Sequence, residues 1–211
     1  METSNLIKPK SIPMQSAPAL YPEEENSGKV KAGTIQFSFF SRPVQNTIPS
    51  CTIGVKEVMN LITSRKYATT TEVLRNIDDP ERARNFKARN FDYCCFSGVF
   101  RKRCESGLIK HSNLITIDFD HVRDVELLKM KLINDHFFET VLAFISPSGD
   151  GLKWIIKIDL NQNTHLEWFL ALQRYIRYNY QLEIDQSGKD ISRCCFLPYD
   201  PEVFVNKKYI L

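Results

Sequence analysis

The chain has 211 residues, of which 43% are hydrophobic and 25% charged, as in an ordinary globular protein with one sizeable core. Its net charge of +3 is too small for a protein that binds polyanions over its whole surface. Since the sequence contains no apolar run of membrane-spanning length and no signal-like apolar segment at its start, we expect a cytoplasmic protein without a membrane anchor.

The N-terminal half alternates between strand and helix patterns after a polar leader. Residues 1–33 are rich in Pro, Ser, Lys and Glu and predict disorder. The segment that follows, 34–110, is interpreted as an N-terminal α/β part. Its predicted elements are a strand (34–43), three helices (54–65, 69–77 and 78–90) and a strand (91–100).

The second half, 111–211, predicts the element order β-α-β-β-α-β. A near-continuous apolar run over 113–120 indicates a central strand. The remaining predicted elements are helices at 122–136 and 163–182 and strands at 139–149, 152–160, 191–200 and 202–206. This order is the split-βαβ arrangement shared with RNA-recognition (RRM) modules, so the expected fold class is α+β with an RRM-like core.

Six cysteines occur at positions 51, 94, 95, 104, 194 and 195, and none forms a CxxC pair. Neighbouring cysteines in a strand point to opposite faces, so we expect reduced thiols rather than disulfides. Cys94, Cys95, Cys104 and His111 are candidate zinc ligands, but their spacing fits no common zinc module.

Basic residues concentrate between Arg82 and Lys110, where eight Lys or Arg stand against two acids. Such a segment provides a positive surface for nucleic-acid phosphates, although a solvated helix face has the same composition. The candidate nucleic-acid contacts are Arg82, Arg84, Lys87, Arg89, Arg101, Lys102 and Arg103.

Two acids, Asp118 and Asp120, end the apolar strand over 113–120. Residues two apart in a strand lie on the same face, so the two carboxylates point the same way and repel each other. A divalent cation relieves that repulsion, and oxygen ligands suit Mg²⁺ or Mn²⁺. The alternative is an exposed strand end at which Asp120 caps the following helix.

Two further segments supply residues suited to phosphate and metal. The turn before strand 152–160 contains Ser148, Gly149 and Gly151, whose amides can face a phosphate, and Lys153 begins the strand. A plain hairpin turn also explains the glycines. Later, Asp185 or its rival Asp190 is a candidate third acid, and Arg193 precedes the last apolar segment. Turn chemistry and a surface salt bridge are the alternatives there.

The joint order of these segments resembles a known family. The segments are "FSGVFRKRCESGLIKHSNLITIDFDHV", "FISPSGDGLKWIIKI" and "DISRCCFLPYDPEVFVN". They resemble the catalytic core of the archaeo-eukaryotic primase superfamily, the primase-polymerases, and look most like the VirE N-terminal domain family of primase-like proteins. The resemblance spans about residues 34–206.

This resemblance implies a primase-like nucleotidyltransferase that acts in DNA replication or mobile-element maintenance. Asp118, Asp120 and Asp185 would be catalytic ligands of Mg²⁺ or Mn²⁺. Lys153 stands where the wider superfamily carries His, which alters the nucleotide half of the site. The implied nucleoside triphosphate contacts are Ser148, Gly149, Gly151, Lys153 and Arg193.

The implied partners are nucleoside triphosphates, a DNA template and a helicase. The sequence has no GxxxxGK[ST] motif, so a helicase would come from another polypeptide or a further region. Two alternatives remain open: an inactive primase-fold module that binds nucleic acid beside a helicase, and a DxD phosphatase of the haloacid-dehalogenase type, in which Asp118 would be the nucleophile.

Overall fold

A computed structural model describes residues 35–210, and the predicted leader at 1–33 lies outside that range. The described chain is an α+β protein with antiparallel sheets, as predicted. Within it, the helices are α1 (Val55–Thr63), α2 (Ala68–Arg75), α3 (Pro80–Asn90), α4 (Val125–Ile133) and α5 (His165–Tyr180). No helix among these residues has both the length and the apolar character needed to cross a bilayer.

The strands form two four-stranded sheets and one hairpin. They are β1 (Gln36–Phe40), β2 (Cys51–Gly54), β3 (Tyr93–Cys95), β4 (Gly98–Phe100), β5 (Leu108–His111), β6 (Leu114–Phe119), β7 (Thr140–Ile145), β8 (Leu152–Lys157), β9 (Cys195–Phe196) and β10 (Phe204–Val205). The first sheet has the order β2-β1-β3-β9, the second the order β10-β7-β8-β6, and β4 pairs with β5.

The second sheet confirms the predicted order of β6, α4, β7, β8 and α5, with β8 between β6 and β7. However, β6 is an edge strand, so its prediction as a central strand was wrong. Its apolar composition arises because both faces are buried, and its open edge is covered by the chain near Asp185, whose amide donates to the Asp118 carbonyl at 3.0 Å.

The last predicted strand does not take the position that it has in an RRM-like module. Instead of lying beside β6, the segment 191–200 contributes only β9, which pairs with β3 in the first sheet. The short β10 then joins the second sheet beside β7. The Leu197 amide donates to the Asp92 carbonyl, which extends the attachment of β9 to the first sheet. The predicted RRM-like core is therefore not confirmed.

Side-chain alternation places two apolar clusters on opposite faces of the second sheet. One cluster joins β6, β7 and β8 to α4 and α5, and includes Ile117, Trp154 and Phe169. The other joins the same sheet to the first sheet and α1, and includes Phe37 and Ile155. Polar residues of β6 and β8 that share the face of Ile155 therefore point between the two sheets.

Asp92 ties the start of β3 to the helical segment before α2. Its carboxylate is 5% exposed and accepts hydrogen bonds from the Arg42 amide (3.0 Å), the Lys66 ammonium (2.9 Å) and the Tyr67 hydroxyl (2.8 Å). Burial alone would raise the pKa of Asp92, but these hydrogen bonds and the Lys66 charge hold it below its ordinary value. Asp92 is therefore a charged, fully bonded anchor of the fold.

We expect Asp92→Asn to lower the free energy of unfolding by about 3 kcal/mol at neutral pH, because it leaves the buried donors poorly paired. A carboxylate with a lowered folded-state pKa stabilises the protein above its unfolded-state pKa, and that stabilisation disappears as the pH falls through the folded-state value. The difference between wild type and variant, measured by urea unfolding, should therefore shrink below about pH 4.

The matched control is Asp78→Asn, since Asp78 is exposed and lies just before α3. This substitution should leave the unfolding midpoint nearly unchanged. Equal losses for both variants, or a difference that does not depend on pH, would contradict the role given to Asp92.

Candidate metal centre

Asp118, Asp120 and Lys153 come together at one end of the second sheet. Asp118 lies directly opposite Lys153 in the antiparallel pair of β6 and β8. Both side chains share the inter-sheet face of Ile155, so the ladder itself brings carboxylate and ammonium into contact. Asp120 follows two residues after Asp118, just beyond the end of the strand.

Asp185 completes a cluster of three carboxylates. One oxygen from each of Asp118, Asp120 and Asp185 lies within 4.8 Å of the others, and this is the one such ligand group among residues 35–210. Asp190, the rival third acid, is outside this group and accepts hydrogen bonds from the amide and hydroxyl of Ser192. The structure therefore brings Asp185 to the pair, in a geometry that suits a hard cation.

Asp118 has one oxygen without a protein partner. Its side chain is 9% exposed, and among the described residues its Oδ1 atom has no hydrogen-bond partner. Its other oxygen, Oδ2, contacts Lys153 and lies 3.6 Å from Arg193. Buried carboxylate oxygens are nearly always satisfied, so an unpartnered one on an acid that belongs to a group of three carboxylates suits a metal ligand.

Among the described residues, three cations from three separate segments of the chain lie near these acids. Lys153 contacts Asp118, and Arg193 donates to Asp185 at 2.6 Å. The pKa of Lys87, on α3, is lowered overall by burial and by the Lys153 charge. The charges of Asp120 and Asp118 act in the opposite direction, so Lys87 lies close to these two acids. The sequence placed Lys87 with the nucleic-acid contacts, whereas its charge acts on the acid cluster.

The pKa values of the two flanking acids shift in opposite directions. Burial and the neighbouring Asp118 charge raise the pKa of Asp120. Burial also acts to raise that of Asp185, but hydrogen bonds from Ser187 and the charges of Arg193 and Lys153 lower it overall. Asp120 thus has the less stable negative charge, which a divalent cation would stabilise.

The Ser/Gly turn lies against the end of β6. The Val122 amide donates to the Asp150 carbonyl at 2.7 Å, and a Cβ on Gly151 would collide with the Phe119 carbonyl oxygen. Gly149 has a φ of +89°, which favours glycine. Within the described chain the amides of Ser148 and Asp150 have no hydrogen-bond partner, so they remain able to bind an anion.

Sequence reasoning missed Arg75, the last residue of α2. Its guanidinium donates to the carbonyls of Pro147 (3.3 Å) and Ser146 (3.4 Å), and its Nε would lie only 3.0 Å from a Cβ on Gly149. The side chain is fixed on the turn by two of its five N–H groups, and within residues 35–210 the other three have no partner. No sequence pattern connects a helix end at position 75 to a turn some 70 residues later.

The predicted nucleic-acid contacts divide into exposed and structural residues. Arg103 is structural, since it donates to the Val44 carbonyl at 3.0 Å and stacks over the Tyr93 ring. Its prediction as a nucleic-acid contact therefore has no geometric support. The exposed members of the set are Arg82, Arg84, Arg89, Arg101 and Lys102.

The six cysteines are free, as predicted, and Cys94, Cys95 and Cys195 are buried. Burial raises the pKa of Cys195 to about 12, so this thiol next to Lys153 is protonated and unreactive at neutral pH. The candidate zinc ligands do not form a cluster within residues 35–210.

Comparison with known proteins assigns the family. Residues 85–204, more than half of the chain, match the family described as BT4734-like, N-terminal domain. The chain belongs to the BT4734-like N-terminal domain family. The matched range contains the three acids together with Lys87, Lys153 and Arg193, but not Arg75. No curated protein and no solved structure matches the chain.

This family corrects the resemblance drawn from the sequence. The BT4734-like family is a different one from the VirE N-terminal domain family, so that assignment was wrong, and the match provides no link to primases. The motif order that suggested the resemblance consists of short segments, each of which other metal sites and turns also contain. Arguments about function in the BT4734-like domain therefore rest on the site itself.

Proposed function

We propose that the BT4734-like domain is a divalent-metal-dependent nucleotidyltransferase that uses nucleoside triphosphates on a DNA template, a primase- or polymerase-type activity. The observation that carries the proposal is the cluster of three carboxylates, in which the most buried member, Asp118, also has an oxygen without a partner among the described residues. The unit β6-α4-β7-β8-α5 would be the catalytic core, because β6 and β8 supply Asp118 and Lys153.

Asp118, Asp120 and Asp185 would hold Mg²⁺ or Mn²⁺. When bound, two such ions acidify an attacking hydroxyl and neutralise charge on the reacting phosphate. The residues of the chain itself then hold and orient the substrate. Asp185 is held by Arg193 and by the amide and hydroxyl of Ser187, so its orientation is fixed before substrate arrives.

The triphosphate would lie between the acids and the Ser/Gly turn. Lys153 and Arg193 border the acids on one side, and Lys87 approaches from α3. Arg75 and the free amides of Ser148 and Asp150 extend the positive surface along the turn. Alternating acids and cations of this kind bind a metal and its polyphosphate together, which a pure acid cluster does not.

The template would follow the exposed basic side chains of α3 and of the segment after β4. Arg82, Arg84 and Arg89 are exposed on the helix that also carries Lys87, and at about 3.6 residues per turn Arg84 is the one on the same side of the helix as Lys87. Binding through such residues is electrostatic and weakens as salt rises. A role in replication or mobile-element maintenance, with a helicase partner, would be consistent with this activity.

The second candidate function is a DNA-binding module without catalysis. The contact between Lys153 and Asp118 favours it, because a buried ammonium already neutralises the central acid. The phosphatase alternative has less support, since the sheet that carries Asp118 is antiparallel rather than the parallel, doubly wound sheet of that family.

The test is incorporation of labelled nucleotides on single-stranded DNA with Mg²⁺ or Mn²⁺. We expect metal-dependent product from the wild type and none from the Asp118→Ala/Asp120→Ala variant. DNA binding that does not depend on metal, without incorporation by the wild type, would support the binding module instead. Release of phosphate from a generic phosphomonoester would support the phosphatase.

A further inference from the structure

The metal centre is electrically balanced before any ligand binds. Three carboxylates, those of Asp118, Asp120 and Asp185, are matched by three cations, Lys87, Lys153 and Arg193. A fourth acid near Lys87, Asp150, is half-exposed and paired with His121 at 2.7 Å. The inner set therefore carries no net charge in this structure.

Lys153 contacts the acid that a metal between the three carboxylates would also need. It is 9% exposed, it has Asp118 as its partner, and Asp118 is itself the most buried of the three acids. A metal that binds between the acids would lie against the Lys153 ammonium. A buried lysine and a divalent cation that share one carboxylate repel each other strongly, because little solvent separates them.

We infer that Lys153 is an internal counter-cation of Asp118 that transfers to the phosphates when metal and nucleotide bind together. This inference rests on the proposed function, and it adds that the metal and the nucleotide bind the site together. Metal alone would leave an excess of two positive charges per ion, whereas a polyphosphate gives both the ion and the displaced ammonium a partner.

Charge balance also sets how many divalent cations accompany a phosphate ligand. A nucleoside triphosphate carries about four negative charges, which two divalent cations neutralise, so the loaded site returns to balance. A nucleoside monophosphate carries about two and balances only one ion.

The test is the linkage between metal and triphosphate in solution. Mn²⁺ binding to the wild type is measured by calorimetry, alone and with a non-hydrolysable deoxynucleoside triphosphate. We expect weak binding alone and an affinity at least about tenfold higher with the triphosphate, within the usual range of coupling between sites. In Lys153→Met, Mn²⁺ alone should bind more tightly, and the gain from triphosphate should fall below about threefold.

Lys157→Met is the matched control, because Lys157 lies on the same strand and face but at its exposed far end. It should behave as the wild type. If Lys153→Met retains the full linkage, the counter-cation role is wrong while the proposed function stands. If Asp118→Asn binds Mn²⁺ as tightly as the wild type, both with and without the triphosphate, the proposed function fails.

A second readout does not depend on the stability of Lys153→Met. The ammonium of a buried, paired lysine gives a distinct ¹H–¹⁵N signal, which Lys153→Arg assigns by its disappearance. We expect this signal to stay unchanged with Mg²⁺ alone and to shift when Mg²⁺ and the triphosphate analogue are both present. A shift with Mg²⁺ alone, equal to that with both ligands, would overturn the inference.

Discussion

Under the proposed function, Asp118→Asn should lower metal-dependent nucleotide incorporation by about 10³-fold or more. Asparagine has nearly the same shape as aspartate, so the strand and its neighbours are preserved. It lacks the charge, however, and its amide nitrogen would point either at the other two acids or at Lys153. Steady-state incorporation on a primed template measures the effect.

The same substitution also leaves Lys153 buried without its partner, which would cost about 3–5 kcal/mol of stability. The double variant Asp118→Asn/Lys153→Met separates the two effects, because a neutral pair of similar volume restores stability without restoring the metal ligand. We expect this double variant to melt close to the wild type and to remain inactive. Asp159→Asn, just after the far end of β8, should retain activity.

If the double variant regains incorporation, the loss in Asp118→Asn came from instability, and Asp118 is a structural ion-pair partner. A variant that is stable, inactive and unable to bind Mn²⁺ assigns Asp118 to the metal. Activity and melting temperature together therefore separate the two functions of one carboxylate.

The sequence predicted those parts of the site that depend on local rules. The period of two in a strand placed Asp118 and Asp120 on one face, and the structure brings their oxygens together. The Asp79-Pro80 start of α3 also followed local rules, since the Asp79 side chain accepts from the Arg82 amide at 2.6 Å. Such features need only neighbouring residues, so one sequence is enough.

Features that depend on distant pairing were not predictable. Strand β6 lies at a sheet edge because β9 pairs with β3 rather than with β6. Strands β3 and β9 are about 100 residues apart in the sequence. Lys87 and Arg75 reach the site because α3 and α2 pack beside it, and no motif marks either residue. Composition identified the basic segment but could not separate the half-buried Arg103, which binds the Val44 carbonyl, from its exposed neighbours.

Gly151→Ala should lower nucleotide incorporation by about 10²-fold, although the variant retains all three acids. A Cβ at this position would collide with the Phe119 carbonyl oxygen and lie 3.1 Å from the Ser146 hydroxyl, so the turn must move away from β6. Because Asp120 follows Phe119 directly, the shift displaces the acids relative to the turn. A displacement near 1 Å in a reacting site lowers the rate by about 10²-fold. The overpacking itself lowers the free energy of unfolding by about 1–3 kcal/mol.

Gly98→Ala is the matched control for this last substitution. Its Cβ would also collide with a backbone carbonyl, that of Lys110, but the clash lies in the β4–β5 hairpin rather than against β6. Both variants should lose similar stability by urea unfolding, and only Gly151→Ala should lose most of its incorporation and its affinity for the triphosphate. Equal activity losses would mean that general destabilisation explains both, and that the close approach of the turn to β6 has no special role in holding the phosphates.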